Sequence, residues 1–413
     1  MDGLNLQAKA AARDARFLTG AERIAQADVM AETASPAAVL SVKPLLLDIK
    51  PPPSPLLAQP TGPRNLRDAI GPSKGRMTQE EHMRRLDYIL RNVPQSMFPS
   101  TCVLRDAFEG QRGIIVGGGP SLAETYPDVR WHAATNRDGV KIAAVNKSPD
   151  WMINGERDGK RWKRIPLVPD YGVMLDPAPY VVDYQTPHPD VTYLLATTLD
   201  SRVFAKFLKA HAQAMVWIPI FDGSEIDVHA ERYKRDNIDR HFISGGSTVG
   251  LRTINLLAAF GLNPIDLHGS DSCYAPRSKT LYAYDKPLII NSITDYIIRS
   301  NFGARDRLHV RSNAMMAKQA MEFADMIERL RSLVIDGKMR PLRLRVHGDG
   351  AIPWIAWKAS QEMPDVIEHA TPAKMAAKYG DCAFWDYAED GPYVDVEQEE
   401  RMEQAAEMIE VRA

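Results

Sequence analysis

The run Val116-Gly117-Gly118-Gly119-Pro120-Ser121-Leu122 gathers residue types suited to holding an anion. Glycine reaches φ > 0 and lets a backbone come close to a ligand. Proline suits the first helical position, where its missing N–H costs nothing, and Ser121 in the first turn offers a hydroxyl. Free N–H groups at such a turn, with a helix dipole behind them, favour negative charge. Gly117, Gly118, Gly119, Pro120 and Ser121 are therefore expected to cradle a phosphate; the alternative is a tight turn without a ligand. Two common nucleotide motifs are excluded. The sixth position of a G-x-G-x-x-G fingerprint is Leu122, and no Gly-Lys-Ser/Thr is present to make a Walker A loop.

A second cluster, Ser244-Gly245-Gly246-Ser247-Thr248, precedes the apolar stretch Val249–Phe260. Gly245, Gly246, Ser247 and Thr248 can hold a second phosphate or a sugar at a helix N-terminus, or they form a serine-rich cap with close helix packing. Asp176 and Asp271 each follow a strand pattern. Two carboxylates at strand ends can share a Mg²⁺ that neutralises phosphate charge, or each can cap its own turn. Asn146 either touches a nucleotide base or ribose or makes an Asx-turn with Ser148. His268 is a candidate base near Asp271 or a satisfied structural histidine. His309 and the polar loop Asp222–His241, with His229 and Arg232, can line an acceptor site.

These residues need a frame, and the pattern supplies one. Short apolar runs, Gly113–Val116, Lys141–Val145, Gly172–Leu175, Val191–Ala196, Met215–Ile220 and Pro264–Leu267, alternate with helical segments. That alternation predicts an α/β fold, a Rossmann-like, mostly parallel sheet flanked by helices, with ligands beyond the carboxyl ends of its strands. Thr78 and Glu81 form a capping box for a helix carrying Met83, Leu86, Ile89 and Leu90 on one face and stopped by Pro94. Met315–Leu333 reads as a long amphipathic helix. Three regions follow: a flexible Ala/Pro-rich arm over 1–76, a phosphate-binding domain over 77–337, and a small C-terminal α/β unit over 338–413, whose elements could instead extend the first sheet. The last holds a strand at Leu342–Val346, a helix at Pro353–Gln361, a strand at Cys382–Tyr387 and an acidic terminal helix at Glu397–Ile409. The Pro51-Pro52-Pro53-Ser54-Pro55 cluster can build neither ladder nor helix, which makes the arm a linker or a dock for a protein partner.

Composition bounds the rest. Over 413 residues the formal net charge is −2, so no global basic field draws the chain to nucleic acid, and none is expected as a partner. Three widely spaced cysteines exclude a disulfide framework or zinc ribbon and fit a reducing compartment. No secretory pattern and no apolar run of membrane-spanning length is found, so a cytoplasmic location without a membrane is expected.

In order along the chain stand Val116-Gly-Gly-Gly-Pro-Ser-Leu122, Ala144-Val145-Asn146, Pro169–Asp176, Gly245-Gly246-Ser247-Thr248-Val249 and Asp266-Leu267-His268-Gly269-Ser270-Asp271. The set resembles the archaeal 6-hydroxymethylpterin diphosphokinase-like family, a Rossmann-like domain also present in bacterial motility-associated proteins and in phage genomes. The likeness covers about residues 100–312. It implies a glycine turn on the nucleotide phosphates, Asp176 and Asp271 near a Mg²⁺, and transfer of a diphosphate from ATP to a small-molecule hydroxyl acceptor. The turn is also similar to the Gly-Asn-Gly-Pro-Ser-Leu turn of bacterial sialyltransferases, with Gly118 in place of asparagine. That likeness implies use of a CMP-sugar; a nucleotide-sugar glycosyltransferase in which His268 or His309 deprotonates the acceptor is the alternative reading. A third alternative keeps the fold without turnover, as a binding or assembly protein, for instance of a phage particle.

Overall fold

The computed structural model describes residues 77–93, 97–220, 242–276, 282–284, 294–299, 307–337, 341–380 and 384–386. The first helix, α1 (Gln79–Asn92), opens at Thr78, whose hydroxyl accepts from the Glu81 N–H at 3.2 Å, as the capping pair predicts. It buries Leu86 and Ile89. The expected stop at Pro94, the arm over 1–76 and the acidic helix Glu397–Ile409 lie outside the described residues.

The central strand β1 (Arg112–Val116) buries Ile114, Ile115 and Val116 completely. After the glycine turn come α2 (Leu122–Thr135), β2 (Val140–Val145) and α3 (Ser148–Asn154). A small hairpin of β3 (Glu156–Asp158) and β4 (Arg161–Arg164) follows, then β5 (Tyr171–Met174), β6 (Thr192–Ala196), α4 (Ser201–Lys209) and β7 (Ala214–Pro219). Beyond them lie β8 (Phe242–Ile243), α5 (Val249–Ala259), β9 (Ile265–His268), β10 (Thr294–Arg299), β11 (Arg307–Ser312) and α6 (Ala314–Ile335). The chain continues through β12 (Leu344–Val346), α7 (Ala351–Glu362), β13 (Ile367–His369), α8 (Pro372–Tyr379) and β14 (Phe384–Asp386). In α6, Ala317, Ala320, Phe323, Ala324, Ile327 and Leu330 recur at helical spacing and form its buried face.

Nine strands make one sheet in the order β13-β12-β9-β1-β2-β5-β6-β7-β8, and every neighbouring pair is parallel. Ile114 and Val116 face Leu122, Tyr126 and Val129 of α2, while Ile115 belongs to the opposite core with Ile254 and Leu257 of α5. Burial on both faces explains the uninterrupted apolar runs. The expected α/β fold is the observed one.

Of the two arrangements open for the elements after residue 338, β12 and β13 take the one that extends the first sheet. Leu344 pairs with Ile265 and Val346 with Leu267, so β12 and β13 extend the main sheet beside β9. Leu344 and Val346 are fully buried, and the edge strand β9 supplies their partners. β14, close to the strand expected at 382–387, instead pairs parallel with β11 in a separate three-stranded sheet with β10.

Parallel pairing sends every carboxyl end of the main sheet to one edge. From β1 the chain winds outward through β2, β5, β6, β7 and β8, then returns through β9 on the other side of β1. The switch point lies between β1 and β9, where open parallel sheets place their ligand crevice.

Candidate functional site

The glycine turn sits at this switch and is stitched to the end of β9. The Gly117 N–H donates to the His268 carbonyl at 2.8 Å, and the Gly119 N–H to the Gly269 carbonyl at 2.7 Å. A Cβ at Gly117 would lie 2.3 Å from the Gly269 oxygen, so the crossing admits no side chain there. Ser121 is the N-cap residue of α2, so the first helical residue is Leu122, two positions later than the expected Pro120. Its N–H donates to Asp271 Oδ2 at 2.6 Å, and its hydroxyl meets Oδ1 at 2.5 Å. The anion at this helix N-terminus is therefore the protein's own carboxyl group. Burial raises the Asp271 pKa to about 7; the bonds from Ser121 oppose that rise, and Asp349 and Glu124 add to it.

The outer side of the turn is covered as well. The Ala283 N–H donates to the Gly118 carbonyl at 2.8 Å, and a Cβ on Gly118 would lie 2.3 Å from the Tyr284 hydroxyl. Ser148 donates to the Gly117 carbonyl at 2.8 Å, so the 2.7 Å contact between Tyr284 and Ser148 has the phenol donating. Tyr282 stacks on Tyr284 with centroids 5.6 Å apart. Residues 282–284 carry no glycine or charge pattern, and nothing in the sequence singles them out.

Beside the turn, Asn146 directly follows β2 with φ 52°. Its N–H donates to the Val173 carbonyl and its own carbonyl accepts from Gln185 Nε2 at 2.7 Å. Its side-chain Oδ1 is buried without a hydrogen-bond partner among the described residues, so the alternative of an Asx-turn with Ser148 is not formed. A buried acceptor in that state costs about 1–3 kcal/mol until a donor reaches it.

Residues 87–277 match the model of the 6-hydroxymethylpterin diphosphokinase MptE-like family. The MptE-like segment is a little under half of the 413-residue chain and contains the glycine turn, Asn146, Asp176, Gly245–Thr248, His268 and Asp271. None of the curated proteins matches the chain.

Within the MptE-like segment, the other expected residues divide. Asp176 follows β5 and caps its own turn, accepting from the Ala178 N–H at 3.0 Å and facing the Tyr180 hydroxyl at 3.4 Å. Asp271 follows β9, and β1 and β2 lie between those strands. Three strand spacings separate the two carboxylates by about 14 Å. Ligand oxygens on one Mg²⁺ lie at most about 4 Å apart. The expected shared metal pair is thus not formed, and no group of three His, Cys, Asp or Glu suited to a metal occurs among the described residues.

The second cradle is also filled from within. The Ser247 N–H and hydroxyl both donate to Glu322 Oε2 of α6, at 2.7 and 2.8 Å, and Lys318 lies 3.5 Å from Glu322 Oε1. Gly245 and Gly246 have positive φ, 109° and 41°, and pack against Asn255 and Leu251. Thr248 is the N-cap of α5 and its buried hydroxyl has no partner among the described residues.

His268 faces the interior, and neither ring nitrogen has a hydrogen-bond partner among the described residues. It is fully buried and stacks on His347 with centroids 3.8 Å apart, near the Arg112–Asp266 ion pair. Burial holds its pKa well below the usual histidine value, and the His347 ring beside it acts in the same direction. The His268 ring is therefore held neutral and away from solvent. Its ring ¹⁵N shifts are expected to stay constant from pH 8 to pH 5; a titration midpoint near 6.5 would contradict the burial. His309 is buried on β11, outside the MptE-like segment. The proposed acceptor loop at 222–241 lies outside the described residues.

One set of contacts was not expected. Arg85 of α1 donates to the Pro177 and Thr198 carbonyls at 3.0 and 2.6 Å, and His82 meets the Thr197 hydroxyl at 3.3 Å. The first helix thereby braces the loops after β5 and β6. No helix among the described residues is long and apolar enough to cross a membrane.

Proposed function

We propose that the chain is a diphosphokinase-like transferase that binds ATP over the ends of β1 and β2 and passes a diphosphate to a hydroxyl acceptor. The observation that carries this reading is the glycine turn at the β1/β9 switch with Asn146 Oδ1 beside it, unpartnered among the described residues. The MptE-like match supports the reaction class. Asn146 Oδ1 accepts from the base or a ribose hydroxyl. The Gly118 N–H is the turn's remaining donor to a phosphate, because Gly117, Gly119 and Ser121 have donated theirs within the protein. Rate enhancement comes from holding donor and acceptor in line. Mg²⁺ arrives with the nucleotide as part of the substrate, since Asp176 and Asp271 do not form a joint site for it.

Calorimetric titration with ATP, Mg–ATP and CMP-sugars tests this. Mg–ATP is expected to bind, and Asn146→Ala to weaken it about tenfold, the worth of one buried hydrogen bond. Binding of a CMP-sugar and not of ATP would transfer the chain to the glycosyltransferase reading.

A specific observation favours a second reading, a binding or assembly protein without turnover. Both helix N-termini expected to hold anions are occupied by Asp271 and Glu322, and Tyr284 covers Gly118. Purification with a stoichiometric partner and no response to any nucleotide would decide for it.

A further inference from the structure

The hairpin β3–β4 stands apart from both larger sheets and pairs only with itself. From Glu156 to Arg164 it carries Arg157, Lys160, Arg161, Lys163 and Arg164 against Glu156 and Asp158, a surplus of three positive charges within nine residues of a chain whose total is −2. Lys163 and Arg164 pair with Glu156 at 2.8 and 3.2 Å. Arg157, Lys160 and Arg161 are exposed and make no ion pair with any described residue. Trp162 keeps 40 % of its surface in solvent, with the Arg157 guanidinium 4.0 Å from its ring centre. Arg164 lies 3.9 Å over Trp151, which anchors the base of the hairpin on α3.

An exposed indole adds little to a core, and three cations set against Asp158 alone leave the hairpin positive. Together they suit one ligand chemistry: a chain of phosphodiesters with unpaired bases, where arginine and lysine meet phosphates and an aromatic face takes a base. We propose that the β3–β4 hairpin is a docking surface for single-stranded nucleic acid, with Arg157, Lys160 and Arg161 on the backbone and Trp162 stacking a base. The net charge argues against nucleic acid only as an average over the whole chain. The hairpin is independent of the crevice, so either reading can fail without the other.

Fluorescence anisotropy of a labelled oligothymidylate with the full chain tests the assignment. Three phosphate contacts give binding that weakens about 20-fold between about 50 and 200 mM salt, from a logarithmic slope of roughly −0.7 per contact on single strands. Replacing Lys160 and Arg161 with alanine is expected to reduce that ratio to about threefold. Trp162→Ala is expected to weaken binding at least about fivefold while leaving the salt slope unchanged. All three positions are exposed, and circular dichroism verifies that the variants remain folded. Absence of binding at low salt would overturn the proposal. So would an unaltered affinity in Trp162→Ala, or displacement by polyglutamate at equal charge, which marks a surface for acidic protein instead.

Discussion

Asp271→Asn is expected to be more stable than the unaltered protein by about 1.5 kcal/mol at pH 5 and by up to about 4 kcal/mol at pH 8. The carboxyl group is buried against Ser121, and its pKa in the folded protein, about 7, lies above the ordinary value of 3.8. A group raised in this way contributes stability fully below its unfolded pKa and loses it as pH rises through the folded one. Between about pH 4 and pH 7 ionisation therefore costs stability, on the order of 4 kcal/mol at most, at about 1.4 kcal/mol per pH unit. Asparagine keeps both contacts, accepting from the Ser121 N–H and donating to its hydroxyl, and carries no charge to desolvate. Asp271→Ala leaves both Ser121 groups unsatisfied and is expected to lose about 3 kcal/mol at pH 5. Urea unfolding at the two pH values reads all three proteins. An Asp271→Asn protein that is weaker by the same amount at both would mean that α2 requires a full negative charge at its N-terminus.

Gly117→Ala is the second large effect. Its methyl group would meet a backbone oxygen, Gly269 O, at 2.3 Å, with the His268 carbonyl at 3.2 Å. Neither can turn away without breaking the parallel register between β1 and β9, so a loss of roughly 3–5 kcal/mol is expected. Gly118→Ala is the control. Its methyl group meets the Tyr284 hydroxyl, the far end of a side chain, and the expected cost is about 1 kcal/mol. Equal losses in the two variants, measured as urea midpoints, would contradict the geometry of the turn. The pair also separates a glycine required by strand crossing from one required by a neighbouring tyrosine.

Much of the frame was legible in the chain. Runs such as Ile114-Ile115-Val116 and Leu194-Leu195-Ala196 are apolar throughout because helices bury both faces of a parallel sheet, and that pattern survives in one dimension. The position of Asp271 beyond a strand end was also readable. Its partner was not, because Ser121 lies 150 positions away and only the switch at β1/β9 brings the two together. The same holds for Glu322 on Ser247, 75 positions apart, and for Tyr284 on Gly118. Glycine-rich turns signal a need for space, but the sequence does not say what fills it: here carboxylates and phenols of the same chain fill what looked like room for phosphate. The separation of Asp176 from Asp271 followed from strand order, which alternation alone leaves open.

Hydrogen–deuterium exchange of the full chain with and without Mg–ATP tests the central claim most directly. Nucleotide binding at the β1/β9 switch predicts slowed exchange at Gly118 and around Asn146, with the helix start at Ser247 and Thr248 unchanged. Protection confined to residues 244–248, or no protection anywhere at saturating nucleotide, would contradict it.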